Sequence, residues 1–221
     1  PEAAPGAAGA GGAAVDAILH GDTRRAFCAV RPPGHHATST AAMGFCLFNN
    51  IAVAAAHACD KHGLSRVAVV DFDVHHGNGT QAIFDTDPRV MYLSSHQMPL
   101  YPDTGYANER GIGNILNAPL PPGCGSPEFR RTWRERLLPP LESFRPQLLF
   151  ISAGFVAHRN DPLAQLELEV DDFRWLTTEL VAIAARHAQG RIVSMLEGGY
   201  DLAALRECSV AHVGVLLDAE G

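Results

Sequence analysis

Arg66-Val67-Ala68-Val69-Val70-Asp71-Phe72-Asp73-Val74-His75-His76-Gly77-Asn78-Gly79 is the stretch that decides the fold. It opens as an unbroken apolar run and ends in acids, histidines and glycines. Continuous runs rich in branched aliphatic residues mark strands covered on both faces, as in parallel sheets flanked by helices. A strand is therefore expected over 66–73, with a site at its carboxyl end, where open α/β sheets place their ligands. If extended geometry persists, Asp71, Asp73 and His75 share one face, because side chains alternate along a strand. An Asp and a His spaced i, i+2 can converge on one cation, and oxygen and imidazole donors without sulfur suit zinc or another first-row divalent ion. An acidic turn with surface histidines is the competing reading.

The same grammar recurs on both sides of this stretch. Further strands are expected over 26–30, 90–96, 147–155 and 191–196, and helices over 47–62, 126–144, 171–189 and 201–217. Pro139-Pro140 should kink or end the second helix. Two acids and Gly190 bracket the third. The first dozen residues, rich in Ala, Gly and Pro, read as a loose end or as the remnant of a helix running into 15–19. Strands alternating with helices give an α/β fold with a mostly parallel sheet. The segments that follow the strands, 31–37, 71–79, 94–105, 154–161 and 197–201, all carry His, Asp or Tyr beside Gly or Pro.

Composition narrows the function classes. With 47% hydrophobic and 19% charged residues the chain is not a disordered one, and 221 residues suit a single domain over 1–221. A net charge of −7 argues against direct nucleic-acid binding, while leaving cationic substrates open; Lys61 is the only lysine. Five cysteines without a CxxC pair point to neither a disulfide framework nor a cysteine zinc site, and a reducing, cytoplasmic setting follows. No apolar run reaches the roughly 18 residues of a membrane span, and the first residues given show neither the charged region and apolar core typical of a signal peptide nor an initiator Met.

Two further segments carry chemistry. Arg31-Pro32-Pro33-Gly34-His35-His36-Ala37 presents adjacent imidazoles after a rigid turn, as acid, base or ligand. Leu196-Glu197-Gly198-Gly199-Tyr200-Asp201 permits close backbone approach at its glycines and can offer the Tyr200 hydroxyl to an oxyanion. Read alone, the first is two loop histidines and the second a strand-to-helix turn with a packed tyrosine.

Together with Gly44-Phe45-Cys46-Leu47-Phe48-Asn49-Asn50 and Ser152-Ala153-Gly154-Phe155, these segments occur in the order seen in histone deacetylases. From about Val15 onward the chain resembles that family, and in particular its bacterial, class II-like amidohydrolases and acetylpolyamine amidohydrolases. The resemblance implies the three-layer α/β/α arginase/deacetylase-like fold and zinc-dependent removal of acetyl groups from lysine or a polyamine. It implies Asp73 and His75 as metal ligands. His35 and His36 become the pair serving the attacking water and leaving amine, with Asp71 and Asn78 as their respective partners. By the same resemblance Tyr200 is expected to polarise the acetyl carbonyl, Phe45 and Tyr101 to wall the substrate slot, Gly198 and Gly199 to give it room, and His76 to support the metal side. Main-chain carbonyls around 71–75 and 94–95 resemble the family's structural K+ site.

Two departures qualify the resemblance. Where the family pattern places an aspartate as third metal ligand, this chain has Val156, so zinc should be held weakly. A catalytically impaired acyl-amine binder is therefore the rival to an active deacetylase. Only thirty residues precede Arg31, so the chain is expected to lack an N-terminal portion.

Overall fold

The computed structural model describes residues 2–218. Strands β1 (Arg25–Cys28), β2 (Val67–Asp71), β3 (Val90–Gln97), β4 (Ile115–Leu120), β5 (Leu148–Ala153) and β6 (Ile192–Leu196) make one sheet, ordered β1-β6-β5-β2-β3-β4. Every pairing is parallel. The helices are α1 (Ala3–His20), α2 (Asn50–Asp60), α3 (Asn78–Phe84), α4 (Ser126–Thr132), α5 (Leu138–Phe144), α6 (Val170–His187) and α7 (Leu202–Asp218). None of them is long and apolar enough to cross a membrane.

Strand alternation sorts the core into two layers. Val67 and Val69 of β2, Leu148 and Phe150 of β5 and Val193 of β6 pack with Val15 and Ile18 of α1 and Ile51 and Ala55 of α2. Ala68 and Val70, Leu149 and Ile151, and Ile192 point the other way, toward Phe129, Leu141, Phe173, Leu176 and Cys208 of α4–α7. All five residues of β2 are buried, which is why its sequence is continuously apolar rather than alternating. The expected α/β/α architecture is thus observed.

Several local readings change. The N-terminal segment is an ordered helix: alanine has the highest helix propensity, and small residues let α1 lie close to its neighbours. A Cβ on Gly11 would come within 2.7 Å of Ala54 Cβ, so only glycine allows this approach. Gly21, at φ 90°, then ends the helix and donates its N–H to Ala17 and Ile18. Strand β4 was not expected; it holds Pro119 and lies at the sheet edge, where proline is tolerated. Helix α3 begins at Asn78, inside what reads as a loop. The 126–144 segment is one helical stretch with a π-helical turn over Trp133–Leu137, and Pro139-Pro140 lies in the first turn of α5 rather than ending a helix.

Caps fix the loops that matter. The Asn49 side chain accepts from Ala52 N at 3.1 Å, capping α2, and its amide donates to the Ala37 carbonyl at 3.0 Å. The start of α2 is thereby tied to the histidine loop. Ser126 does not cap α4; its hydroxyl meets Asp172, whose carboxylate also takes Arg130 and completes a capping box with Glu169 at the start of α6.

Candidate active site

The loops leaving β1, β6, β5 and β2, four neighbours in the sheet, converge at its carboxyl edge. They enclose a cavity of about 550 Å³, lined by His35, His36, Asp73, His75, Gly198 and Tyr200 below and by Phe45, Leu100, Tyr101 and Leu163 toward the opening.

Strand β2 ends at Asp71, two residues short of the expected end at 73, so Asp71, Asp73 and His75 do not share a strand face. Asp71 is fully buried beneath the site. Its Oδ2 accepts His35 Nδ1–H at 2.8 Å and the Tyr92 hydroxyl at 3.0 Å, and its Oδ1 accepts Asp73 N at 3.1 Å. The loop then turns so that Asp73 Oδ1 receives both the backbone N and the ring Nδ1 of His75, at 2.9 and 3.0 Å. Gly198 N donates to Asp73 Oδ2 at 3.1 Å. A Cβ on Gly154 would fall 1.8 Å from that oxygen, which explains the glycine after the β5 Ser-Ala pair.

The histidine pair is differentiated. His36 Nδ1 lies 2.8 Å from Asn78 Oδ1, and the two imidazole centroids are 4.1 Å apart. Burial opposes charge on His35, but the carboxylates of Asp71 and Glu197 outweigh it and lift its pKa to about 10. His36 is driven the other way, to about 3, by burial and then by the charge on His35. Tyr101 packs edge-on to His36, and Phe45 edge-on to Tyr200, with centroids 5.2 and 6.1 Å apart. Phe45 is exposed and sits at φ 66°; the preceding Gly44 passes so close to His36 that a Cβ would lie 2.3 Å from its ring.

Some expected residues are placed elsewhere. Gly199 does not line the cavity; its carbonyl accepts from Arg31 Nη2 at 2.8 Å. His76 turns away from Asp73 and bonds Thr104 and Gln81. Val156 is buried, and its Cγ2 lies 2.5 Å from the point a Gly198 Cβ would occupy, with Asp73 Oδ2 2.7 Å from the same point. Asp73 and His75 thus offer two donors, and Val156 brings hydrocarbon to their neighbourhood. Catalytic zinc takes three protein ligands, so the donor set present is one short of that ion's needs.

Two carboxylates were not given roles by sequence reasoning. Glu197 is buried, and its Oε2 accepts Gly34 N and His35 N at 2.7 and 3.1 Å while Oε1 accepts Ser152 Oγ at 2.9 Å. It clamps the histidine loop to β5 and β6. Asp161 accepts Tyr200 N at 2.7 Å and Asp201 N at 3.2 Å, fixing the start of the tyrosine loop. Both lie in segments singled out by their strand-end position, but Gly34 and His35, which Glu197 holds, are some 160 residues away from it in sequence.

Comparison with known proteins agrees with this geometry. The model of the histone deacetylase domain matches residues 1–216. A histone deacetylase-like amidohydrolase of Pseudomonas aeruginosa is 46% identical over 207 residues, covering 91% of this chain and 54% of the relative. The human protein named polyamine deacetylase HDAC10 is 41% identical over 221 residues, covering 96% of this chain and 32% of the relative. The crystal structure of the HDA15 HD domain superposes with a TM-score of 0.93 at 39% identity, covering 98% of this chain and 62% of that one. The chain thus spans about half or less of the length of these two curated relatives. A family of hydrolytic, generally zinc-dependent deacetylases is matched here by sequence and backbone together, and this chain belongs to the histone deacetylase family.

Proposed function

We propose that the cavity is an amidohydrolase site releasing acetate from an N-acetylated amine, either an acetylated lysine peptide or an acetylpolyamine, and that Val156 limits its hold on metal. The observation that carries this reading is the split histidine pair. Two imidazoles with centroids 4.1 Å apart line the cavity, His35 on the buried Asp71 carboxylate and His36 on the neutral Asn78 amide, so that the cation is favoured on the first ring and the neutral form on the second.

His36, neutral and held at Nδ1 by Asn78, accepts the proton of an attacking water at Nε2. His35, kept cationic by Asp71, stabilises the charge that builds up and favours protonation of the departing amine. The Tyr200 hydroxyl donates to the acyl oxygen as it becomes an oxyanion. Phe45 and Tyr101 receive the alkyl stem, and Gly198 leaves room for the acyl end. Asp73 and His75 are the residues that would hold a divalent ion, whose chemistry there is to acidify water and polarise the amide. The names of the relatives, a polyamine deacetylase and an amidohydrolase, support the substrate class. Asp71 pairs in register with Ser94 across β2 and β3, and this adjacency supports the proposed K+ position at their carbonyls.

Val156 favours a second reading, in which the cavity binds acyl-amines without turning them over. Acetate release from an acetyl-lysine peptide and an N-acetyl diamine, with zinc supplied, separates the two. Binding without release in both the parent and Val156→Asp supports the binder; release that His36→Ala abolishes supports the amidohydrolase.

A further inference from the structure

On the face of the molecule formed by α1 and α2, Asp16 gathers two imidazoles. Its Oδ1 is contacted by His57 Nε2 at 2.7 Å and by His62 Nε2 at 2.6 Å. Asp16 lies near the end of α1, His57 in the last turn of α2, and His62 two residues beyond α2. The imidazole centroids of His57 and His62 are 5.5 Å apart and their planes stand at 72°. His20, the last residue of α1, places a third ring 6.0 Å from that of His62.

We infer that Asp16, His57 and His62 form a second site, for a divalent transition-metal ion, that joins the end of α1 to the end of α2. Among the described residues this is the one group of three such side chains whose candidate ligand atoms all lie within 4.8 Å of one another. Each ring already turns Nε2 inward onto one oxygen. An ion between them would displace the protons now shared with Oδ1: a ring that begins neutral shifts its proton from Nε2 to Nδ1, and a ring that begins protonated keeps the Nδ1 proton and releases the other to solvent. Ligands about 2.0–2.2 Å from zinc stand roughly 3.3 Å apart in a tetrahedron, so the present contacts need open by only about 0.6 Å. The side chains of Asp16, His57 and His62 are 31%, 27% and 16% exposed, so solvent can fill the remaining positions and the ion has a way in.

Two nitrogens and one carboxylate oxygen favour zinc, nickel, cobalt or copper over calcium or magnesium. Lys61 opposes the ion: its Nζ sits 2.9 Å from Asp16 Oδ2. It occupies the other oxygen, however, and is more than half exposed, so it can swing away. Removing it should tighten binding, whereas a site that merely buries a lysine–aspartate pair would gain nothing.

The test is a Co2+ and Zn2+ titration of the tag-free chain, followed by visible absorption and thermal melting, with parent, His62→Ala, His57→Ala and Lys61→Met compared. All four keep Asp73 and His75, so differences between them report the α1–α2 face alone. The expected result is one equivalent of ion that His62→Ala and His57→Ala weaken at least tenfold and Lys61→Met tightens, with metal raising the melting temperature of the parent but not of the histidine variants. His62 lies outside both helices, so its variant keeps the test valid if His57→Ala unfolds in chelator. Equal stoichiometry and affinity in parent and His62→Ala, or no melting shift with metal in the parent, would overturn the inference.

Discussion

Replacing Val156 by aspartate probes the proposed third-ligand position through a quantity other than activity. Val156 Cγ2 and Asp73 Oδ2 lie 2.5 and 2.7 Å from one point beside Gly198, so they are no more than about 5 Å apart. A carboxylate at 156 would face Asp73 across that gap, with both groups buried. At an effective dielectric constant of about 20, two like charges at about 5 Å repel by about 3 kcal/mol. In the presence of chelator, Val156→Asp should therefore lower unfolding free energy by about that amount, or raise the pKa of one carboxyl until the pair shares a proton. Zinc should reverse the loss, because the same carboxylate then meets a dication. Since loss of even a residue behind the ligands weakens metal sites roughly 10–100-fold, the variant should bind zinc at least that much more tightly than the parent. Urea unfolding with and without zinc, and zinc competition against a chromophoric chelator, read both effects when parent and variant each also carry His62→Ala, which disables the α1–α2 site. An equal destabilisation with and without zinc, or equal zinc affinity in parent and variant, would refute the placement of residue 156 among the ligands.

Further predictions follow from the same structure. Glu197→Gln removes an acceptor from the clamp on Gly34, His35 and Ser152 and should cost about 1–3 kcal/mol in denaturant unfolding; because Glu197 also raises the His35 pKa, NMR titration should show that value falling, and an unchanged value would remove Glu197 from this role. His212 is fully buried, and burial lowers its pKa to about 3. Thr177 donates its hydroxyl proton to the Phe173 carbonyl and so accepts from His212 Nδ1, leaving Nε2 to accept from Ser194. The unfolded chain then binds the extra proton first, so stability should be full above about pH 6.5 and fall by up to about 1.4 kcal/mol per pH unit down to about pH 3. His212→Gln should flatten the pH dependence of unfolding in that window, and an unaltered slope would show that His212 does not set it. Tyr200→Phe, in the Val156→Asp background with zinc, should lower the turnover number about 100-fold or more with the melting temperature held, as for loss of an oxyanion donor; unchanged turnover would remove Tyr200 from the mechanism.

The strand at 67–71 was legible because burial on both faces leaves an unbroken apolar run, and the same holds for β5 and β6. Strand β4 was not, because an edge position admits Asn117 and Pro119 and erases the run. Helix α1 hid behind its glycines, of which Gly11 is explained by its close approach to α2 and β6, a tertiary fact with no periodic signature. In the site, Asp71, Asp73, His75, His35 and His36 were found through local density at strand ends. The hydrogen bonds His35–Asp71 and His36–Asn78 were expected from the resemblance and are present at 2.8 Å. The clamps made by Glu197 and Asp161 escaped, since each pairing depends on which strands are neighbours in the sheet.

The central claim is that this cavity hydrolyses acetylated amines to the extent that it holds metal. Its most direct measurement is acetate release from an N-acetyl-lysine peptide and an N-acetyl diamine as zinc is titrated into the parent and Val156→Asp chains. The account predicts slow or absent release by the parent, release by the variant that saturates with zinc, and loss of that release in Val156→Asp/His36→Ala. A further equivalent of zinc, bound by Val156→Asp but not by the parent, with no acetate from either substrate would contradict it.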